Sequence, residues 1–228
     1  MANRMVLPDS ERFGEAIESV RKRVPIARHE WDALQAAERE TAFTVANVTE
    51  MRVLQQVLDG VEAAVRDGTT LEDFRADIGP SLIESWGGEI PGRMETVFRT
   101  NIQVAYSQGR HAINSAPVVR EARPYLRFDD VPSDRECELC EECGGTVLPA
   151  DDPWWHTHTP PLHHCCECTA TALSPEEAAE EGIDDAGAGI DADDGFGGEP
   201  SAIGEDWEPD LSEFSPELRA ELETRLGR

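Results

Sequence analysis

A chain of 228 residues with 39% hydrophobic and 29% charged residues can build one sizeable core or two small ones, which excludes a third. Its 47 acidic residues against 20 basic give a net charge of −27, and the basic set is arginine apart from one lysine, Lys22. That balance argues against a free-standing nucleic-acid binder that works by neutralising phosphates. So large an acidic excess suits a protein kept soluble by hydrated carboxylates in very high salt, where repulsion is screened over about 3 Å at 1 M. The composition therefore predicts a halophilic source. No run of 18 apolar residues occurs, and residues 1–8 lack the basic-then-apolar order of a signal peptide; the expectation is no membrane span and folding in a cytoplasm.

Residues 1–115 read as helical throughout. Phe13, Ile17, Val20 and Val24 follow the spacing of one helix face, entered at Asp9 or Ser10 and stopped by Pro25. A second segment starts near Glu30, passes Phe43 and Val45, and carries Met51, Leu54, Val57, Leu58, Val61 and Val65 as a stripe that ends near Gly68. This stretch holds more apolar positions than a short bundle needs, which predicts a partner-binding face. Thr70 with Asp73 has the spacing of a capping box for a helix that turns Leu71, Phe74 and Ile78 inward, and Gly79-Pro80 is expected to end it. From Arg93 to about Ser115 one long helix presents Met94, Val97, Phe98, Ile102, Ala105 and Tyr106.

The pattern changes at Pro117. Tyr125 to Asp129 alternates with period two, and Gly145 to Leu148 reads as a second strand. All six cysteines and four of the six histidines lie in this region, the mark of a small loop-rich unit held by something other than a large apolar core. Ser174-Pro175-Glu176-Glu177 opens a short helix. Residues 176–210 then hold 14 acidic side chains, no basic one and only scattered apolar residues, too little to offset the entropy of ordering, so a disordered tether is expected. Ser215-Pro216-Glu217 starts a last helix with Leu218, Leu222 and Leu226 four apart, a docking peptide for a partner's groove or for the chain's own helical body. The fold expected is α+β: a helical region over 1–115, a zinc-stapled α/β module over 116–175, an acidic disordered tether over 176–210 and an amphipathic C-terminal helix over 211–228.

Cys137-x-x-Cys140 supplies half of a zinc knuckle, because a two-residue gap lets one tight turn aim two thiolates at an ion about 2.3 Å away. The other half lies in His163-His164-Cys165-Cys166-Glu167-Cys168, where both Cys165 with Cys168 and His163 with Cys166 repeat that gap. A four-Cys site and a three-Cys-plus-His site can both be drawn, and Cys143 offers a further pairing with Cys140. Disulfides or free thiols are the plain alternative to a metal. His156 and His158 would serve a nuclease of the His-Asn-His type, but that motif needs an Asn and none follows Asn114. They are read instead as surface or packing histidines, and Trp154 and Trp155 as the cover of the module's core.

Phe98-Arg99-Thr100-Asn101, then Ala105-Tyr106 and Gly109-Arg110, Arg123-Pro124-Tyr125-Leu126, the run from Gly145 to Trp155, and Pro160-Pro161-Leu162-His163 leading into Cys166-Glu167-Cys168 together resemble the Mu F-like head morphogenesis family, minor capsid proteins of tailed viruses. The resemblance covers about residues 10–175. Its members end this block in His-Pro-x-Cys-Arg-Cys; here His164 replaces the Pro and Glu167 the Arg, while His163, Cys166 and Cys168 match. Cys137 and Cys140 match an upstream pair. The resemblance implies a structural, non-enzymatic protein of virion assembly, bound in several copies to the portal protein and other capsid proteins. It also implies a place in the capsid interior, contact with packaged DNA, and a role in genome packaging or ejection. The metal set so read is Cys137, Cys140, His163, Cys166 and Cys168, holding one zinc ion, with Cys143 and Cys165 as further candidates. A zinc-knuckle nuclease and a nucleic-acid adaptor are the alternatives.

Overall fold

The computed structural model describes residues 13–26, 28–33, 42–131, 138–198 and 216–225. It divides into a first unit, Met1–Ala105 with Ser201–Arg228, and a second, Tyr106–Pro200. The first unit is mainly helical. Helix α1 (Gly14–Arg21) buries Ala16, Ile17 and Val20, and packs on α3 (Met51–Asp67). Asp9 and Ser10, the expected entry to α1, lie outside the described residues.

Two short segments correct the all-helical reading. β1 (Val24–Pro25) and β2 (Ala42–Phe43) form a parallel bridge, extended by the Ile26 N–H donating to the Phe43 carbonyl at 2.8 Å. β-Branched and aromatic side chains here are buried in the core, and Pro25 is tolerated because so short a pairing asks little of its missing N–H. Among the described residues, α2 (Arg28–Ala33) represents the helix expected from Glu30, and residues 34–41 lie outside the described set. Pairing over two residues leaves no periodic trace, which is why the sequence pattern does not reveal it.

The stripe on α3 is used internally. Val53, Leu54, Val57, Leu58, Val61 and Val65 are all buried in this unit's own core, so these six positions are taken up internally. The helix ends at Gly68, left-handed at φ +69°, where glycine carries no steric penalty. Helix α4 (Leu71–Trp86) begins with the expected capping box: the Asp73 N–H donates to the Thr70 hydroxyl, and the Thr70 N–H to the Asp73 carboxylate. Contrary to expectation, α4 runs through Gly79-Pro80. Pro80 sits on the exposed face, so its missing hydrogen bond falls on the solvent side while Ile78 and Leu82 on the inner face stay buried and hold the helix together. Helix α5 (Arg93–Ser115) matches its expected span; in the first unit it brings Phe98 against Phe74, with ring centroids 5.0 Å apart.

The second unit holds a three-stranded antiparallel sheet in the order β4-β3-β5, formed by β3 (Tyr125–Asp129), β4 (Val147–Pro149) and β5 (Thr169–Leu173). Leu126 and Phe128 of β3 point into the core, as the alternation requires. Both outer edges are engaged. At β4, Asp184 donates its N–H to the Val147 carbonyl at 2.9 Å and accepts the Val147 N–H at 2.8 Å. At β5, Asn114 and Arg123 donate to the carbonyls of Ala170 and Ala172. Short helices fill the connections: α6 (Pro117–Ala122), α7 (Glu138–Cys143), α8 (Trp155–His158) and α9 (Pro175–Glu181). Of these only α9 was legible, through its capping box of Ser174 and Glu177.

Residues 184–198 are a second correction. The expected tether instead lies along the module in this stretch: the Trp154 indole donates to the Ala188 carbonyl at 2.9 Å and the Asp193 N–H to the Leu162 carbonyl at 2.9 Å. Ala188, Ile190 and Ala192, alternating with period two, pack against the module core, while Asp191, Asp193 and Asp194 remain exposed. The acid count describes only one face of this segment. Helix α10 (Pro216–Arg225) begins at the expected place, but the leucine side chains assigned to docking lie outside the described residues.

Candidate metal centre

Three elements meet at the cysteine cluster. Helix α7 carries Cys140 and Cys143, the loop before β5 carries His163 to Cys168, and the sheet beneath contributes Leu126 and Phe128 to the same core. The loop closes into a knuckle when the Cys166 N–H donates to the His163 carbonyl at 3.3 Å. Cys165 takes φ +58° within it, a left-handed conformation uncommon for a residue with a side chain. The reversal brings His163 and Cys166 to one ligand group.

Cys140 Sγ lies 3.1 Å from His163 Nε2 and 3.8 Å from Cys166 Sγ, and the three donor atoms all fall within 4.8 Å of one another. Cys168 lies close enough to Cys140 and Cys166 to influence the ionisation of both. Cys140, Cys166 and Cys168 are buried, and His163 is half-buried. Hydrogen bonds from the Cys140 and Cys168 thiols hold Cys166 far below the ordinary thiol range against the opposing effect of burial. The complementary hydrogen bond to Cys166 pushes Cys140 far up. Thiols packed this closely oppose one another's ionisation, and a divalent cation is what allows neighbouring thiols to ionise together.

The imidazole is prepared in the same sense. His163 Nδ1 stands 2.7 Å from the His164 carbonyl oxygen, which can only accept, so Nδ1 carries the hydrogen and Nε2 presents its lone pair toward Cys140. Cys140, His163 and Cys166 are therefore the sequence-derived candidates that the structure brings together, with Cys168 against two of them. Cys137 lies outside the described residues. Cys143 is buried in the module core and Cys165 is half-buried; neither joins the group of three.

Sequence reasoning missed what supports the loop. The Ser107 hydroxyl of α5 donates to the Pro160 carbonyl, and the Thr159 hydroxyl donates to the Trp155 carbonyl at 2.7 Å. His158 is a packing residue, as expected: its ring stacks on Trp154 at 4.4 Å, Nε2 lies 2.7 Å from the Ile190 carbonyl, and Nδ1 lies 3.1 Å from that of Trp154. Of the two tryptophans expected to cover the core, Trp154 packs half-buried against it and Trp155 is buried within it. Arg99 and Asn101 bond along their own helix, to Glu95 and to the Val97 carbonyl.

A family model described as Phage Mu protein F like protein matches residues 55–171, from within α3 to within β5. The "Putative capsid assembly protein F" of Escherichia phage Mu is 31% identical over 172 residues, which cover 67% of this chain and 38% of that protein. The "Mu-like prophage FluMu F protein" of Haemophilus influenzae is 31% identical over 155 residues, covering 62% of this chain and 37% of that protein. The chain thus spans under two fifths of the length of these relatives. No solved structure matches it. Because the family match takes in half of the chain and every described residue of the cysteine cluster, the chain belongs to the phage Mu F-like family.

Proposed function

We propose that this protein is a structural component of virus head assembly, a minor capsid protein bound near the portal, whose second unit is stapled by one zinc ion. The family match over residues 55–171, with a phage relative named for capsid assembly, carries the assembly reading. The zinc reading stands on donor chemistry: two thiols, an imidazole in the ligating tautomer and a further thiol at hand favour a soft tetrahedral ion. A tetrahedral ion with ligand bonds of about 2.3 Å to sulfur sets two sulfurs roughly 3.8 Å apart, the separation of Cys140 and Cys166. The 3.1 Å between Cys140 Sγ and His163 Nε2 is shorter than the corresponding edge of roughly 3.6 Å. The ligand set proposed is drawn from Cys137, Cys140, His163, Cys166 and Cys168.

The alternatives draw less support. His158, one of the two histidines a nuclease reading would use, is held in packing contacts, with the Ile190 carbonyl against Nε2 and the Trp154 carbonyl and Thr157 hydroxyl against Nδ1. The second unit, residues 106–200, has 21 acidic and 5 basic residues, which opposes a phosphate-binding adaptor. The test is a virus whose copy of this protein carries Cys140→Ser and Cys166→Ser together. Infectious particles are expected to fall by at least about 100-fold, with the altered protein no longer co-purifying with the portal; wild-type yields of filled heads would overturn the assembly role.

The acidic surface belongs to the same reading, as an adaptation to a halophilic host. The Debye length falls from about 10 Å at 0.1 M salt to about 3 Å at 1 M, so self-repulsion among 27 net charges weakens steeply over that range. The melting temperature is expected to rise by about 10 °C, roughly 3 kcal/mol for a chain of this size. An unchanged value across that range sinks the halophile assignment.

A further inference from the structure

Residues 184–198 follow the matched family segment, and the acidic composition of this stretch gives no reason for it to be ordered. Yet it bonds to the loop that carries His163 at closely spaced points. The Thr159 N–H donates to the Gly197 carbonyl at 2.9 Å, the Gly197 N–H to the Pro161 carbonyl at 3.0 Å, and the Asp193 N–H to the Leu162 carbonyl at 2.9 Å. The arm closes its own turn there through the Phe196 N–H to the Asp193 carbonyl at 2.9 Å. Immediately after His163, the His164 ring meets Phe196 edge to face, with centroids 4.8 Å apart. His163 is thus bracketed on both sides by the same turn. Ile190, Asp191 and Asp193 also line the cavity that His163 and His164 share with Glu138.

The seat depends on glycine. Gly197 is left-handed at φ +75°, and a Cβ on it would stand 2.3 Å from the Thr157 carbonyl oxygen; at Gly187 a Cβ would enter the Trp154 ring at 2.4 Å. Gly189, between them, faces open space. The arm therefore docks at defined points, through its backbone and the Asp184 carboxylate on Val147, while Asp191, Asp193 and Asp194 stay exposed, which differs from the behaviour of a charged linker.

We propose that the turn at residues 193–197 is a clamp on the metal centre: it holds the His163 loop in its ligating geometry and slows release of the ion, so that retention of metal requires a segment outside the matched family region. The inference rests on the zinc reading given above. Its chemistry is that of outer-shell support, in which groups that fix a ligand's loop act on the ion through that ligand. His163 is the ligand acted upon, and residues 193–197 are positioning residues.

The test uses the full chain loaded with zinc and a chromophoric chelator in excess, with amide exchange of Thr159, Asp193 and Gly197 as the report of docking. Gly197→Ala should expose those amides and speed zinc release at least 10-fold, while Gly189→Ala should change neither. Phe196→Ala, which keeps the backbone turn's own residues free of strain, should give an intermediate acceleration, and it serves if Gly197→Ala fails to fold. Loss of amide protection with release unchanged overturns the clamp and leaves the zinc reading standing. Equal acceleration in Gly189→Ala also overturns it. Wild-type protein holding less than about a tenth of an equivalent of zinc overturns both.

Discussion

Replacing Cys166 by serine is expected to abolish metal retention, from about one ion per chain to under a tenth, and to unfold the second unit. The side chain is buried, with its sulfur 3.8 Å from that of Cys140 and within the group shared with His163, so it is a central soft donor for an ion held there. A serine hydroxyl stays protonated at neutral pH and is a poor partner for a soft cation. Structural zinc contributes on the order of 10 kcal/mol in small domains, comparable with the whole stability of a unit this size. Metal analysis after dialysis and near-ultraviolet circular dichroism of Trp154 and Trp155 report the outcome, and the far-ultraviolet signal of α3 and α4 should persist. A full equivalent of metal in the variant, or thermal unfolding indifferent to chelator in the wild type, would defeat the assignment.

Trp155→Ala is expected to destabilise the second unit by about 3–5 kcal/mol, the range for deleting a large aromatic from a closed core. Trp155 is 1% exposed, stands edge-on to Trp154 at 4.9 Å, and donates its indole N–H to the Pro149 carbonyl at 3.1 Å. That carbonyl also accepts the Asp152 N–H at 3.0 Å, so the loss is chiefly of packing and not of a hydrogen bond. Urea unfolding followed by circular dichroism on zinc-loaded protein measures it. Trp155→Phe, which keeps an aromatic ring in the space, should lose less than half as much. A change below about 1 kcal/mol for the alanine variant would mean that the metal, and not this core, holds the unit.

What the sequence makes visible here is whatever repeats or caps. The α3 stripe, the Thr70 and Ser174 capping boxes and the alternation of β3 each leave several residues in register with a known period. The β1–β2 bridge and helices α6, α7 and α8 span two to six residues, too few for a period to emerge. Pro80 misleads because a proline's effect depends on which face of the helix it occupies, and that is settled by packing. At the metal centre, residue types and spacing narrowed the ligands to a handful. What brought Cys140, His163 and Cys166 together is the left-handed turn at Cys165, which is set by tertiary structure and not by local propensity. The docked arm escaped notice because its acids dominate the count while three apolar side chains and a few backbone hydrogen bonds make the contact.

The closure of both borders of the three-stranded sheet limits how this protein can crowd safely. At high local concentration, open strand borders would nucleate ribbon-like polymers. Here the outward carbonyls of Ala170 and Ala172 and the outward groups of Val147 are already taken by Asn114, Arg123 and Asp184. Self-association through main-chain pairing is closed at these positions, so contacts between copies are left to side chains, which can be made specific and, unlike amyloid-type stacking, can come apart.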